Sequence, residues 1–199
     1  MVLPVGADLE FHALAAPHTT GRSNATGHSS QTFDACRFEQ PMASHGSLYI
    51  GESVHPFQGR GERDHSWGPR NWNIEWTFLI LNGEALRLQC AEVHIPNVQR
   101  LGVGYLHRQD TLSLRAVTFD LHFHHETVLS PVSGRFGVVA EDGSDFGGRI
   151  EVISAAEIDI THTFVPPRRS VYRRALIRVH PDGGGPPILG WMEFNYFRP

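Results

Sequence analysis

"NWNIEWTFLIL", residues 71–81, alternates along its length. Trp72, Ile74, Trp76, Phe78 and Ile80 fall on one face of an extended chain, and Asn71, Asn73, Glu75 and Thr77 on the other. A period of two marks a half-buried β-strand, because successive side chains leave opposite faces of a pleated backbone. "AVTFDLHFHHE" at 116–126 repeats the pattern, opposing Val117, Phe119, Leu121 and Phe123 to Thr118, Asp120, His122 and His124. "EIDITHTF" at 157–164 sets Ile158, Ile160, His162 and Phe164 against Glu157, Asp159, Thr161 and Thr163. Similar segments occupy 8–13, 46–51, 86–95, 102–108, 149–154, 171–180 and 189–197. Between them lie turn signals: "LNGE" at 81–84, "HRQD" at 107–110, "EDGSDFGG" at 141–148, "VPP" at 165–167 and "PDGGGPP" at 181–187. Their Gly, Asn, Asp and Pro supply the backbone angles a reversal needs. A helical period is absent apart from short stretches around 13–17 and 33–37. About ten short strands with tight turns predict an all-β, antiparallel fold, and a barrel is favoured because a closed meander leaves no edges. The polar stretch "HTTGRSNATGHSSQ" at 18–31 reads as a mobile loop, a lid over a barrel mouth.

Composition narrows the function. The 199 residues suit one domain over 1–199. A net charge of -4 and the absence of any basic run argue against nucleic acid as a partner. All 17 basic residues are arginine, so Schiff-base chemistry and a phosphate-loop lysine are excluded. Cys36 and Cys90 lack CxxC spacing and read as two buried thiols. The start has no basic n-region, and Asp8 and Glu10 interrupt any apolar run, so no signal peptide is read there. No stretch approaches the ~18 apolar residues of a membrane helix. The expected compartment is the cytoplasm, without membrane insertion.

The stretch "GRGERDHSWGPRNW" at 59–72 is the chemically dense part of the chain. It resembles the "G-x-R-D-H-S-W-G-x-R" block of lipocalin-like proteins related to carotenoid 1,2-hydratases, a group that includes the AttH-like family. "FEQPMASHGSLYIGES" at 38–53 resembles the element that precedes this block, and "GWMEFNY" at 190–196 the terminal Gly-x-x-Glu strand. The resemblance implies a lipocalin-like β-barrel acting on a hydrophobic, often isoprenoid, substrate, with no metal or organic cofactor. Relatives of this kind hydrate or cyclise alkenes. They are usually longer, with two lipocalin-like halves, and this chain resembles the second half. A site formed between halves would then need two copies, which implies a homodimer.

Read from the residues, protonating an unactivated double bond calls for a carboxyl kept protonated in an apolar setting, and the ensuing cation for aromatic faces. Asp64 is the candidate general acid and His65 its orienting partner. Trp67, Trp72 and Trp76 are the candidate cation-facing rings. Arg70 is a candidate for holding Asp64 or Glu193, and Tyr105 is one of four tyrosines that can donate into a pocket. Hydration, dehydration, isomerisation and cyclisation all start from the same protonation. Two alternatives stand beside this reading. In one, Arg63, Asp64, His65 and Trp67 form a structural plug and the barrel only binds or carries a hydrophobic small molecule. In the other, His122 and His124 on one strand ligate a metal in a cupin-like enzyme, completed by His94, His107 or His162. The polar face of a solvated strand is the favoured reading of those histidines, since they lie opposite the apolar face that meets the interior.

Overall fold

The computed structural model describes residues 4–20, 36–67, 74–94, 100–125, 128–160 and 170–197. All regular structure among them is β, and no helix is long and apolar enough to cross a membrane. The strands fall into two compact units.

The first unit holds β1 (Val5–Ala13), β2 (His18–Thr20), β3 (Cys36–Ile50) and β4 (Ser53–Trp67). β3 is its central strand. β1 pairs with the second half of β3, β2 with its first half, and β4 along its whole length. The hairpin from β3 to β4 turns at Gly51, whose φ of 61° is the left-handed conformation glycine tolerates. The block at 59–67 is therefore strand. Its charged residues at successive positions erase the period-two signal, so the alternation of the sequence does not reveal it. No helix occupies 14–17, and the interior of the 18–31 stretch lies outside the described residues apart from β2.

The second unit is a closed barrel of eight strands, β5 (Glu75–Asn82), β6 (Arg87–His94), β7 (Leu101–His107), β8 (Thr111–His125), β9 (Val128–Ala140), β10 (Asp145–Asp159), β11 (Ser170–Pro181) and β12 (Ile188–Phe197). Each pairs with the next, and β12 returns to β5 with Gly190 opposite Leu81 and Asn195 opposite Trp76. The expected antiparallel barrel is thus present. The strand count differs from about ten because four of the twelve described strands belong to the other sheet. Where β7 meets β6, Gly104 has φ 138°, and an added Cβ would lie 2.1 Å from the Gln89 carbonyl oxygen. That close approach admits no other residue.

Leu79, Leu81, Leu88, Ile150, Ile177, Met192 and Phe194 fill the core, all fully buried. Burying each such side chain contributes about 1.5–3 kcal/mol. Val117, Phe119 and Leu121 join them, with Thr118, Asp120 and His122 on the other face, as the alternation of β8 predicts. β5 departs from expectation. Its predicted apolar face carries Ile74, Phe78 and Ile80, which form a second cluster with Ala91 and Val93, while Leu79 and Leu81 face the main core. A strand buried on both faces reads as a continuous apolar run, here "FLIL", and period alone does not say which face is inside.

Candidate functional site

The register of β3 against β4 organises the dense block. Asp64 lies opposite Glu39, Glu62 opposite Pro41 and Ser66 opposite Arg37. Between these pairs, His65 lies opposite Phe38, Arg63 opposite Gln40 and Trp67 opposite Cys36. Strand alternation therefore sorts the block into an ionic face and an aromatic face.

On the ionic face one guanidinium serves two carboxyls. Arg37 Nη2 donates a hydrogen bond to Asp64 Oδ2 at 2.7 Å. The same atom is 2.7 Å from Glu39 Oε1 but is not aligned as a hydrogen bond, and among the described residues neither Glu39 side-chain oxygen has a hydrogen-bond partner. Glu39 is 0% exposed. Burial pushes its carboxyl up to about 8; Arg37 opposes the rise, and Asp64 and Glu62 add to it. The physics is plain: a carboxylate stripped of water and poorly hydrogen-bonded favours its neutral form. Asp64, the better-aligned partner with its side chain 44% exposed, holds the guanidinium.

On the aromatic face His65 packs between Phe38 and Trp67, with ring centroids 5.5 and 5.2 Å away. Arg63 stands over the Phe38 ring at 4.9 Å. Trp67 is 51% exposed. Asp64 and His65 thus point to opposite sides of the sheet, and His65 orients itself on rings rather than on the carboxyl.

The other residues singled out from the sequence are placed as follows. Arg70 and Trp72 lie outside the described residues. Trp76, Tyr105 and Glu193 belong to the barrel unit. Trp76 packs 6.2 Å from the Tyr172 ring. Tyr105 is buried opposite Gln89, on the face of β7 away from Leu106 and the main core. Glu193 pairs with Arg174 at 2.9 Å, and Arg174 stands over Trp191 at 4.7 Å. Burial and then the hydrogen bond to Glu193 raise the Tyr172 phenol, so it stays a donor. His122 is exposed with Ser133 3.5 Å away, and the side chain of His124 and all of His162 lie outside the described residues. Cys90 is buried and not in a disulfide.

The barrel has a cavity of its own, about 380 Å³, at one mouth. Inward-facing side chains of β5 and β6 supply polar groups to it, and β8 supplies Phe119, Leu121 and Phe123. The polar groups are paired among themselves: His94 Nδ1 with Glu75 Oε2 at 3.2 Å, Arg100 Nη1 with Glu92 Oε1 at 3.0 Å, and Thr77 Oγ1 with Tyr196 Oη at 2.5 Å. Burial raises the Tyr196 phenol, against the hydrogen bond shared with Thr77. Two of the residues singled out from the sequence border this cavity, Trp76 and, from the metal-ligand alternative, His94.

Sequence reasoning did not single out Glu39 or Arg37. Glu39 shares a strand face with other polar residues, and nothing local marks a carboxylate for burial. Its only signal is its place in "FEQPM", inside the segment that carries the family resemblance.

Solved structures share this fold. An AttH candidate from Nitrosomonas europaea superposes with a TM-score of 0.62 at 16% identity, over 82% of this chain and 53% of that one. CghA with Sch210972 gives 0.61 at 11% identity, over 96% and 61%. Kievitone hydratase from Nectria haematococca gives 0.56 at 14% identity, over 96% and 61%. The chain thus spans between about half and three-fifths of the length of these proteins, and the likeness is one of fold. No curated protein matches the sequence. Over residues 3–198 the chain belongs to the family described as a domain of unknown function, DUF7064.

Proposed function

We propose that the chain is a cofactor-independent acid–base enzyme acting on a hydrophobic small molecule that carries an alkene or an alcohol, isoprenoid-like in class. The observation that carries this reading is Glu39: a fully buried carboxyl, pushed up to about 8, beside a guanidinium already committed to Asp64. Strongly perturbed groups with a specific charge partner mark functional sites more often than chance. One of the proteins with this fold is named a hydratase, which supports the same class of chemistry.

In the forward direction Glu39 gives its proton to one alkene carbon, and the π pair becomes the new C–H bond. The carboxylate left behind lies 2.7 Å from Arg37, which stabilises the charge as it develops. Water adds to the carbocation, and its surplus proton returns to Glu39. Alkene and water become alcohol, and the reverse path dehydrates. Capture by a second double bond cyclises, the cation so formed giving up a neighbouring C–H proton to the Glu39 carboxylate as a new double bond forms. Asp64 acts in this proposal through Arg37, as the fixed counter-charge that positions the guanidinium.

The test is a screen of terpenoid alkenes and alcohols in deuterated water, reading carbon-bound deuterium. Glu39→Gln is expected to lower turnover by about 10²–10⁴, the ordinary worth of a general acid. Equal deuterium incorporation by wild type and variant would sink the idea.

The barrel-mouth cavity favours a second reading, a non-catalytic carrier. Its polar groups are mutually satisfied, which leaves Phe119, Leu121 and Phe123 as a ready apolar wall, and about 380 Å³ is within the range of ligand pockets. Saturable binding of a hydrophobic fluorophore, weakened by Phe123→Ala but indifferent to Glu39→Gln, with no turnover of any alkene, would favour the carrier.

A further inference from the structure

The first unit carries a second group of ionisable side chains, unconnected with Glu39. β1 and β3 pair so that Glu10 lies opposite His45, and His12 follows Glu10 by two residues on the same strand face. Glu10 Oε2 is 3.3 Å from His45 Nε2 and 3.9 Å from His12 Nε2. The two imidazole rings stack with centroids 5.1 Å apart and planes only 4° from parallel. One ligand atom from each of the three residues lies within 4.8 Å of the others.

We propose that Glu10, His12 and His45 form a binding site for a divalent transition-metal ion of the zinc type. Bonds of about 2.0–2.2 Å in a tetrahedral shell separate ligand atoms by about 3.4 Å. The Glu10–His45 distance of 3.3 Å already has that value. The His12 contact is longer, and all three side chains are exposed, so a small rotation closes it without moving the backbone. Two imidazoles with one carboxylate are a donor set suited to zinc, nickel or copper rather than to magnesium or calcium. The three ligands leave a fourth position facing solvent.

The backbone beneath is rigid where rigidity counts. Gly46 follows His45 with φ 147°, and an added Cβ would lie 2.1 Å from the Asp8 carbonyl oxygen. That approach fixes the register of β1 on β3, and hence the facing of Glu10 and His45. His45 lies six residues from Glu39 along β3, roughly 20 Å in an extended strand, so the metal takes no part in the proton transfer proposed above. Asp8 on β1 and Arg60 on β4 project from the same face as the ligands. Asp8 adds negative charge that favours a cation, and Arg60 opposes it.

The full chain titrated calorimetrically with zinc chloride at pH 7.5 tests the site, with cobalt(II) absorption as a second readout. One equivalent should bind, raise the melting temperature, and be released on acidification, because protons compete with the metal for its ligands. His12→Ala with His45→Ala should weaken that equivalent by at least about a hundredfold and abolish the melting shift, and His45→Gln alone by at least about tenfold. Unchanged affinity and stoichiometry in the double variant would overturn the assignment by placing the metal on other histidines of the chain. Failure of the wild type to take up an equivalent at millimolar zinc would overturn it as well.

Discussion

The barrel and the four-stranded sheet solve burial in opposite ways. Around the barrel the buried side chains are mostly hydrocarbon, from Leu79 round to Phe194. Thr77, Gln89, Arg173 and Asn195 are the buried polar ones among the described residues, and the ionisable groups that line the mouth are paired. On the sheet the few buried positions include a carboxyl, Glu39, while Val5, Phe11, Val54 and Trp67 stay exposed. Hydrocarbon burial is cheap and non-directional, whereas burying a carboxyl costs several kcal/mol unless it gives up its charge. The barrel therefore supplies stability, and the sheet holds a carboxyl that keeps its proton at a pH where the same group in water has lost it. The two regions should respond differently to mutation and to pH.

The largest effect is expected in the barrel. Phe194→Ala removes a fully buried ring from the middle of the core and should destabilise the chain by about 3–5 kcal/mol, measured by urea unfolding. A loss below about 1 kcal/mol would mean that the barrel tolerates a cavity as a loose structure does, and the contrast would fail.

Next comes the pH dependence of the sheet. The Glu39 carboxyl is raised from 4.5 to about 8 by folding, so between these values the folded chain holds a proton that the unfolded chain has lost. The stability it contributes is complete below the lower value, declines as pH rises through the window, and is gone above the upper one. Thermal melts from pH 4 to pH 9 should show this decline in the wild type. In Glu39→Gln, which has no proton to lose, the decline should be shallower and the variant should melt above the wild type at pH 9. A wild-type curve that matches the variant at every pH would remove Glu39 from consideration as a neutral carboxyl.

Asp64→Asn should act more gently. It removes one of the charges that raise Glu39 and releases Arg37, so the fall of activity with pH should move to lower pH. Because Asp64 is part-exposed, the stability change should stay within about 1 kcal/mol. If the alkaline limb stays in place, Arg37 is not positioned through Asp64. At the small end, Arg135→Ala breaks a surface pair with Asp182 and should change stability by less than about 1 kcal/mol.

The legible parts of the fold were those where local pattern and tertiary position agree. β8 alternates because one face meets the core and the other does not, so Val117, Phe119 and Leu121 could be placed inside from sequence alone. The turns at 83–86, 108–110, 141–144 and 182–187 were legible from their Gly, Asp and Pro content. β5 was legible as a strand but not as to its facing, since both of its faces are buried. β4 was unreadable for the opposite reason: Arg63, Asp64 and His65 put polar groups on both faces, and only the pairing with β3 makes them strand. The site follows the same rule. Asp64 stood out because its neighbours in the chain are unusual. Glu39, twenty-five residues away in sequence, became visible only when the register set it across from Asp64. Burial of a lone carboxyl is a property of the assembled sheet, and no window of sequence contains it.

One feature of the barrel has a practical consequence. Cys90 sits at 0% exposure among the core side chains of β6 and is not in a disulfide. A thiol sealed there reacts with an aqueous alkylating reagent only during the intervals when the barrel is open, so its labelling rate counts those openings directly. The protein carries a native clock for its own breathing, and a ligand that seats in the barrel mouth should slow that clock in proportion to its occupancy.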